Sequence, residues 1–167
     1  ESMPNILQAA VGCLVGPLGA SLAAILPGEV SRSFFCNSGA EAVEGALKLS
    51  RIATGRTDFV YAEGSFHGKS FGALSVTGRR KYQAPFEPLV PGCHVVPYGD
   101  IEALEAALAA HDCAAFIIEP IQGEGGIVVP PDGYLSAAEA ACHAAGALLI
   151  VDEIQTGFGR TGEVFAS

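Results

Sequence analysis

At 167 residues, 50% of them hydrophobic and with 21 glycines and 10 prolines, the chain has the size and turn content of one compact α/β domain or of part of a larger one. Its formal net charge of −9, with basic residues scattered apart from Arg79-Arg80-Lys81, argues against a nucleic-acid or anionic-membrane partner. The five cysteines stand singly with no Cys-x-x-Cys pair, which argues against a disulfide frame and for a reducing compartment.

In chain order, Pro17 to Leu26 has a helical pattern closed by Pro27-Gly28, and Ser33 to Cys36 reads as a strand turned at Asn37-Ser38-Gly39. A helix is expected from Ala40 to about Ala53, with Ala42, Ala46, Leu47 and Leu49 as its apolar stripe and Gly55 as its stop. Phe59 to Ala62 is the next strand, Glu63 to Lys69 a loop, Ser70 to Val76 a short helix, and Tyr82 to Gly92 an irregular Pro-rich stretch. Val95-Val96 is a short strand, Asp100 caps a helix to Ala110, and Ala114 to Ile118 is a strand. A long loop from Glu119 to Gly133 follows. Ser136-Ala137-Ala138-Glu139 has capping-box form and opens a helix to Ala145. Leu148 to Val151 reads as a fully buried strand ending in Asp152-Glu153, after which Gly157, Gly159 and Gly162 break the backbone into loop.

Strands alternating with helices predict a three-layer α/β/α domain around a mostly parallel sheet. The apolar runs are too short and too broken by Gly and Pro to span a bilayer, and no basic region precedes an apolar stretch at the N-terminus. A cytoplasmic protein is the expectation. Ser167 falls in mid-pattern with no closing helix, so the chain reads as a truncated piece of a larger domain.

In such a sheet, ligands sit at the carboxyl ends of the strands. Ser38-Gly39-Ala40-Glu41 lies where a strand gives way to a helix, and free amides with a helix dipole behind them suit a phosphate. The same Ser38 and Glu41 have the spacing of a capping box, which needs no ligand, and no Gly-Lys-Ser/Thr follows as in a Walker loop. Phe66 in Phe66-His67-Gly68 either stacks on a flat ring or folds into the core. Glu119 opens the strand-end loop Glu119-Pro120-Ile121-Gln122-Gly123-Glu124-Gly125-Gly126, whose glycines do not fit the Gly-x-Gly-x-x-Gly dinucleotide fingerprint. Asp152 is either a cap or loop salt bridge, or the partner of a cationic ligand atom. No Gly-x-Ser-x-Gly elbow is present. The histidines and cysteines show no metal spacing, so no metal is expected; His94, His111 and His143 read as surface or packing residues, and Lys48 as part of a solvated face. Taken together, the strand-end signals describe a flat, phosphorylated ring with a basic nitrogen, for which pyridoxal 5′-phosphate is the natural candidate.

At these residues the chain resembles the class III, ornithine-type aminotransferases, pyridoxal-phosphate enzymes of fold type I. Phe35-Cys36-Asn37-Ser38-Gly39-Ala40-Glu41, Phe66-His67-Gly68-Lys69-Ser70, the Glu119 to Gly126 loop and Asp152-Glu153-Ile154-Gln155-Thr156-Gly157 carry the likeness, in order and with matching separations. Pro85-Phe86, Leu89, Pro91-Gly92 and Pro97-Tyr98-Gly99 look most like the putrescine aminotransferase branch.

The resemblance implies that Ser38, Gly39 and Ala40 hold the cofactor phosphate, that Phe66 stacks on the ring with His67 beside it, and that Asp152 meets the ring nitrogen. It further implies that Gln155 contacts the phenolic oxygen, that Glu119 supports the Asp152 region, and that Glu124 pairs with an arginine further on. The implied activity is amino transfer from a diamine or ω-amino acid to α-ketoglutarate, in a homodimer with small-molecule amine and keto-acid substrates. The lysine to which the family's cofactor is attached comes after the aspartate. Here Lys48, Lys69 and Lys81 all lie upstream, so no catalytic residue is assigned and the piece alone is expected to be inactive. An aminomutase or racemase branch of the fold, or a non-catalytic partial domain, are the alternative readings.

Overall fold

A computed structural model describes residues 13–167, which divide after Phe35 into two compact units. Within the first, helix α1 covers Val15–Ala23 and gives way to turns before Pro27-Gly28, so it is shorter at its C-terminal end than the pattern suggests.

The second unit, Cys36–Ser167, is built on a four-stranded sheet in the order β2-β1-β3-β4. Its strands are β1 (Asp58–Ala62), β2 (Cys93–Val96), β3 (Cys113–Ile118) and β4 (Leu148–Val151), and every pairing is parallel. β3 is central, and all of its residues are buried, as a strand covered on both faces requires. Alternation then divides the core. Val60, Phe116 and Ile118 face helices α5 (Ile101–Ala110) and α6 (Tyr134–Ala145), packing on Leu104, Ala138 and Cys142. Phe59, Tyr61 and Ile117 face the other way, onto Val43 and Leu47 of α2 (Gly39–Thr54) and Ala73 of α3 (Phe71–Ser75). The expected three layers are thus present in this unit.

The chain leaves β1 for β2 on one side and then crosses to β3 on the other, so the order reverses between β1 and β3. At such a switch point the loops leaving the two strands part and open a crevice at their carboxyl ends. The loops after β1, β3 and β4 all emerge on that edge.

Local signals explain most boundaries. Asp100 caps α5 by accepting from the Ala103 amide at 2.9 Å, and Gly55 ends α2 in the left-handed region at φ 72°. The stretch from Tyr82 to Gly92 contains the end of a one-turn helix, α4 (Arg80–Gln83), and a 3₁₀ turn at Ala84–Phe86.

Five expectations are corrected. Ser33–Cys36 forms no strand: Phe34 and Phe35 are exposed, and β propensity makes no strand without a neighbouring ladder. Cys36, whose apolar strand-like run reads as the setting of a small buried hydrophobe, is accordingly exposed. The buried face of α2 is Val43, Leu47 and Ser50 at i, i+4, i+7, while Ala42 and Leu49 face out; the alanine-rich pattern suited either phase. Helix α6 begins at Tyr134 with Gly133 as its cap, because burying Tyr134 and closing the turn from Pro131 outweigh the Ser136–Glu139 box. β4 is half-exposed, since it pairs in this unit only with β3.

Candidate functional site

The loop after β1 is fixed before any ligand is considered. The His67 amide donates to Thr77 Oγ1 at 3.0 Å, and that hydroxyl donates in turn to Ala73 O at 2.9 Å, tying the loop to α3. Ser65 Oγ donates to Val76 O at 3.3 Å, and the Phe66 amide donates to Glu119 Oε2 at 3.0 Å. Gln122, buried in the loop after β3, donates its Nε2 to Glu63 O at 2.7 Å and so joins two strand ends.

Close approach does the rest. Gly68 sits at φ 127°, and a Cβ added there would come within 2.8 Å of the Ala40 Cβ, so the β1 loop lies directly on the first turn of α2. At Gly39 an added Cβ would come within 2.7 Å of Ile154 Cδ1, which sets the same helix end against the loop after β4. Ser38 caps this helix by accepting from the Glu41 amide at 3.2 Å, while Glu41 Oε2 accepts from the Asn37 amide at 2.6 Å. The capping reading of Ser38 and Glu41 therefore holds. It leaves the Gly39 and Ala40 amides in the first helical turn, where no intrahelical acceptor exists.

Between these loops is a hollow of about 280 Å³, near the lower end for small-molecule pockets. Gly39, Ala40, Phe66, Glu119, Asp152 and Gln155 all line it, as do His67 and Ile154. Phe66 is half-buried, its ring edge-on to Tyr82 and about 5.8 Å from Lys69 Nζ, so it lies at the wall of the hollow and not in the core. Lys48 is exposed, as expected.

The floor of the hollow is a buried pair. His67 Nδ1 lies 2.7 Å from Asp152 Oδ2, with the two side chains 0% and 5% exposed. A carboxylate offers only acceptors, so the proton sits on Nδ1. Asp152 Oδ1 accepts from the Ile154 amide at 3.1 Å, and the Asp152 amide donates to Ile118 O at 2.7 Å, continuing the ladder past β4. His67 Nε2 is buried with no hydrogen-bond partner among the described residues. Such an orphan is uncommon and marks a group that a ligand can satisfy.

Glu119 is the second buried carboxyl. Desolvation pushes its pKa above the ordinary carboxylate range, the Asp152 carboxylate pushes the same way, and the Phe66 and Gly123 amides partly offset both. It thus braces the Phe66 loop as well as flanking Asp152.

Two site candidates do not line the hollow: Ser38, whose hydroxyl caps α2 beside Gly39, and Glu124. The Glu124 side chain is exposed and its carbonyl accepts from Arg79. The reading of separate motifs missed the His67–Asp152 pair, because its members are 85 residues apart and only the fold brings them together.

Comparison with known proteins places the fold in a family. Residues 8–167 match the family model of class III aminotransferases. Among solved structures, the ornithine aminotransferase from Toxoplasma gondii is 35% identical, with a TM-score of 0.85 over 98% of this chain and 39% of that one. An (S)-enantioselective omega-transaminase from Thermomicrobium roseum is 36% identical, with a TM-score of 0.87 over 98% of this chain and 42% of that one. The adenosylmethionine-8-amino-7-oxononanoate aminotransferase from Methanocaldococcus jannaschii is 31% identical, with a TM-score of 0.88 over 98% and 40%. The chain therefore spans about two fifths of the length of the structures it matches.

Proposed function

The chain belongs to the class III aminotransferases, and from that premise we propose that its hollow is the cofactor half of a transaminase site. The cofactor of the family is pyridoxal 5′-phosphate, which when bound supplies an electron-accepting ring to the substrate carbon being deprotonated. The residues present fit that group. An anion-favouring helix end, an aromatic wall and a buried carboxylate converge on one hollow, and the buried histidine nitrogen there lacks a partner.

In this reading the Gly39 and Ala40 amides, with Ser38, hold the phosphate, and the α2 dipole favours its charge. Phe66 covers one ring face. Asp152 takes the ring nitrogen and keeps it protonated, while His67, held on the other carboxylate oxygen, fixes the orientation of Asp152. Gln155 reaches the phenolic oxygen. Glu119 holds the Phe66 loop against the hollow. Glu124 stands ready for an arginine on the substrate side. With its walls tied to one another before the ligand arrives, the hollow has little left to reorganise, which is where electrostatic stabilisation gains most.

For the whole protein we infer amino transfer from a diamine or ω-amino acid, putrescine-like in kind, to α-ketoglutarate, by a homodimer in the cytoplasm. The His67–Asp152 pair at the hollow's floor is the observation that carries the cofactor assignment. Titrating pyridoxal 5′-phosphate into the chain, followed by ring absorbance and tyrosine emission, tests it. Saturable binding at one equivalent, lost in Asp152→Ala, is expected; equal affinity in Asp152→Ala would refute the assignment. For a polypeptide of the relatives' length carrying these residues, glutamate formed from α-ketoglutarate with putrescine as donor is expected. Rearranged or racemised amine without glutamate would favour the aminomutase or racemase branch instead.

A further inference from the structure

At the opposite end of the sheet from the hollow, the fold gathers Asp58, His94 and His111, whose ligand atoms all lie within 4.8 Å of one another. Asp58 opens β1, His94 is the second residue of β2, and His111 caps the C-terminus of α5. Register explains the first two. His94 stands opposite Val60, so Asp58, two residues earlier on β1, points to the same face as its diagonal neighbour. That face is the one covered by α5, whose end delivers His111.

From this juxtaposition we propose a binding site for a divalent late transition-metal ion, Zn²⁺ foremost, formed by Asp58, His94 and His111. Two imidazoles and one carboxylate are the donor set such ions prefer, and three protein ligands leave a fourth tetrahedral position for water. The spacing is near what a metal needs. Bonds of about 2.0–2.1 Å in tetrahedral array put donor atoms about 3.3 Å apart. His94 Nε2 and Asp58 Oδ2 are already 2.9 Å apart. The rest of the closure falls to His111, an exposed side chain free to change rotamer.

Support for the ligands is built in. Thr57 Oγ1 donates to Asp58 Oδ1 at 3.0 Å, leaving Oδ2 to face the imidazoles; such outer-shell bonds orient ligating carboxylates. The His94 and His111 rings are stacked, with centroids 3.5 Å apart and an interplanar angle of 8°, so His111 is held next to the pair and must turn out of the stack to aim its in-plane lone pair at an ion on His94 and Asp58. The C-terminal end of α5, where His111 sits, favours positive charge. The bound ion ties the edge strand β2 to β1 and to α5, a clamp remote from the hollow. The sequence offers no sign of it, since the three ligands have none of the local spacing of a metal motif, and the expectation that no metal site exists is revised here.

The test uses the chain stripped with a chelator, with the exposed Cys13 and Cys36 changed to Ser so that thiols do not compete. Zn²⁺ is titrated against a chromophoric chelator, and thermal unfolding is followed with and without Zn²⁺. One equivalent of Zn²⁺ is expected, with affinity reduced at least tenfold in His111→Ala and in Asp58→Asn, and unchanged in His143→Ala. The Zn²⁺-dependent rise in Tm is expected to vanish in His111→Ala. Because His111 is exposed, that variant remains informative even where Asp58→Asn or His94→Ala fails to fold. Absence of stoichiometric binding, or binding of equal strength in His111→Ala, would overturn the proposal and leave the Asp58–His94 contact as a strand-edge hydrogen bond.

Discussion

Removing one partner of the His67–Asp152 pair should damage the fold and the hollow by amounts that can be worked out in advance. In Asp152→Ala the His67 ring stays buried and neither nitrogen keeps a partner, since Nε2 has none among the described residues to begin with. Leaving the buried imidazole N–H without its carboxylate acceptor costs about 1–3 kcal/mol. Losing the carboxylate's bond from the Ile154 amide falls at the same place and belongs to the same figure. Asp152→Asn keeps the volume, but its single carbonyl oxygen cannot serve both His67 and the Ile154 amide. One unsatisfied contact remains, for a loss of about 1–2 kcal/mol. His67→Ala removes the ring and frees one carboxylate oxygen, which can turn to the hollow and its water.

A double-mutant cycle of Asp152→Ala and His67→Ala, by urea unfolding, isolates the pair. The chain has no tryptophan and four tyrosines, so tyrosine emission and circular dichroism are the natural probes. A coupling energy of about 2–3 kcal/mol is expected for groups 2.7 Å apart with both side chains buried. A coupling below about 0.5 kcal/mol would mean that the pair is not formed in solution, and the assignment of His67 as the group that orients Asp152 would fail.

Glu119 gives a pH prediction with a definite sign. Its folded pKa is raised, so the native state binds its proton more tightly than the unfolded chain does. The stability it contributes is complete below the unfolded carboxyl value and is lost as pH rises through the raised native one. Glu119→Gln should flatten that part of the stability–pH curve; an unchanged slope would refute it. Thiol reactivity should follow burial: Cys13 and Cys36 react rapidly with an aromatic disulfide reagent, whereas Cys113 and Cys142 wait for unfolding. Burial pushes the Cys142 thiol up to about 11, leaving about one molecule in a thousand as thiolate at pH 8. Gly68→Ala, at φ 127° and against Ala40, should cost about 1–3 kcal/mol and weaken pyridoxal-phosphate binding; wild-type affinity would show that the β1 loop does not rest on α2.

Much of the fold could be read from the chain because its signals are local. A continuous apolar run such as Ala114–Ile118, too short for a helix, reads as a strand covered on both faces, and Asp100 and Gly55 mark helix ends by chemistry that needs no tertiary context. The failures lie where tertiary contacts decide. An apolar run at Ser33–Cys36 had no ladder to join, two phases of α2 were equally apolar, and burial of Tyr134 moved the start of α6 past a good capping box. The site divides along the same line. Each strand-end loop announced itself by sequence, and a parallel sheet necessarily gathers such loops on one edge. Which side chains then touch is set across separations of 85 residues for His67–Asp152 and 36 for Asp58–His94, and no local pattern encodes that.

What the convergence adds is polarity. At one side of the hollow the Gly39 and Ala40 amides end a 16-residue helix, where the aligned peptide dipoles leave a partial positive charge. At the other side stand Asp152 and Glu119, close enough that Asp152 helps raise the Glu119 pKa, and among the described residues neither lysine nor arginine lines the space between. A purely anionic ligand would gain at the helix end and lose against the carboxylates, and a purely cationic one the reverse. The ligand that gains at both ends carries an anion and a protonated nitrogen on opposite sides of a flat body thin enough to lie along Phe66. Burial is the main cause of the raised Glu119 pKa and the Asp152 carboxylate a lesser one, and a protonated ring nitrogen held beside the two acids would lower it again.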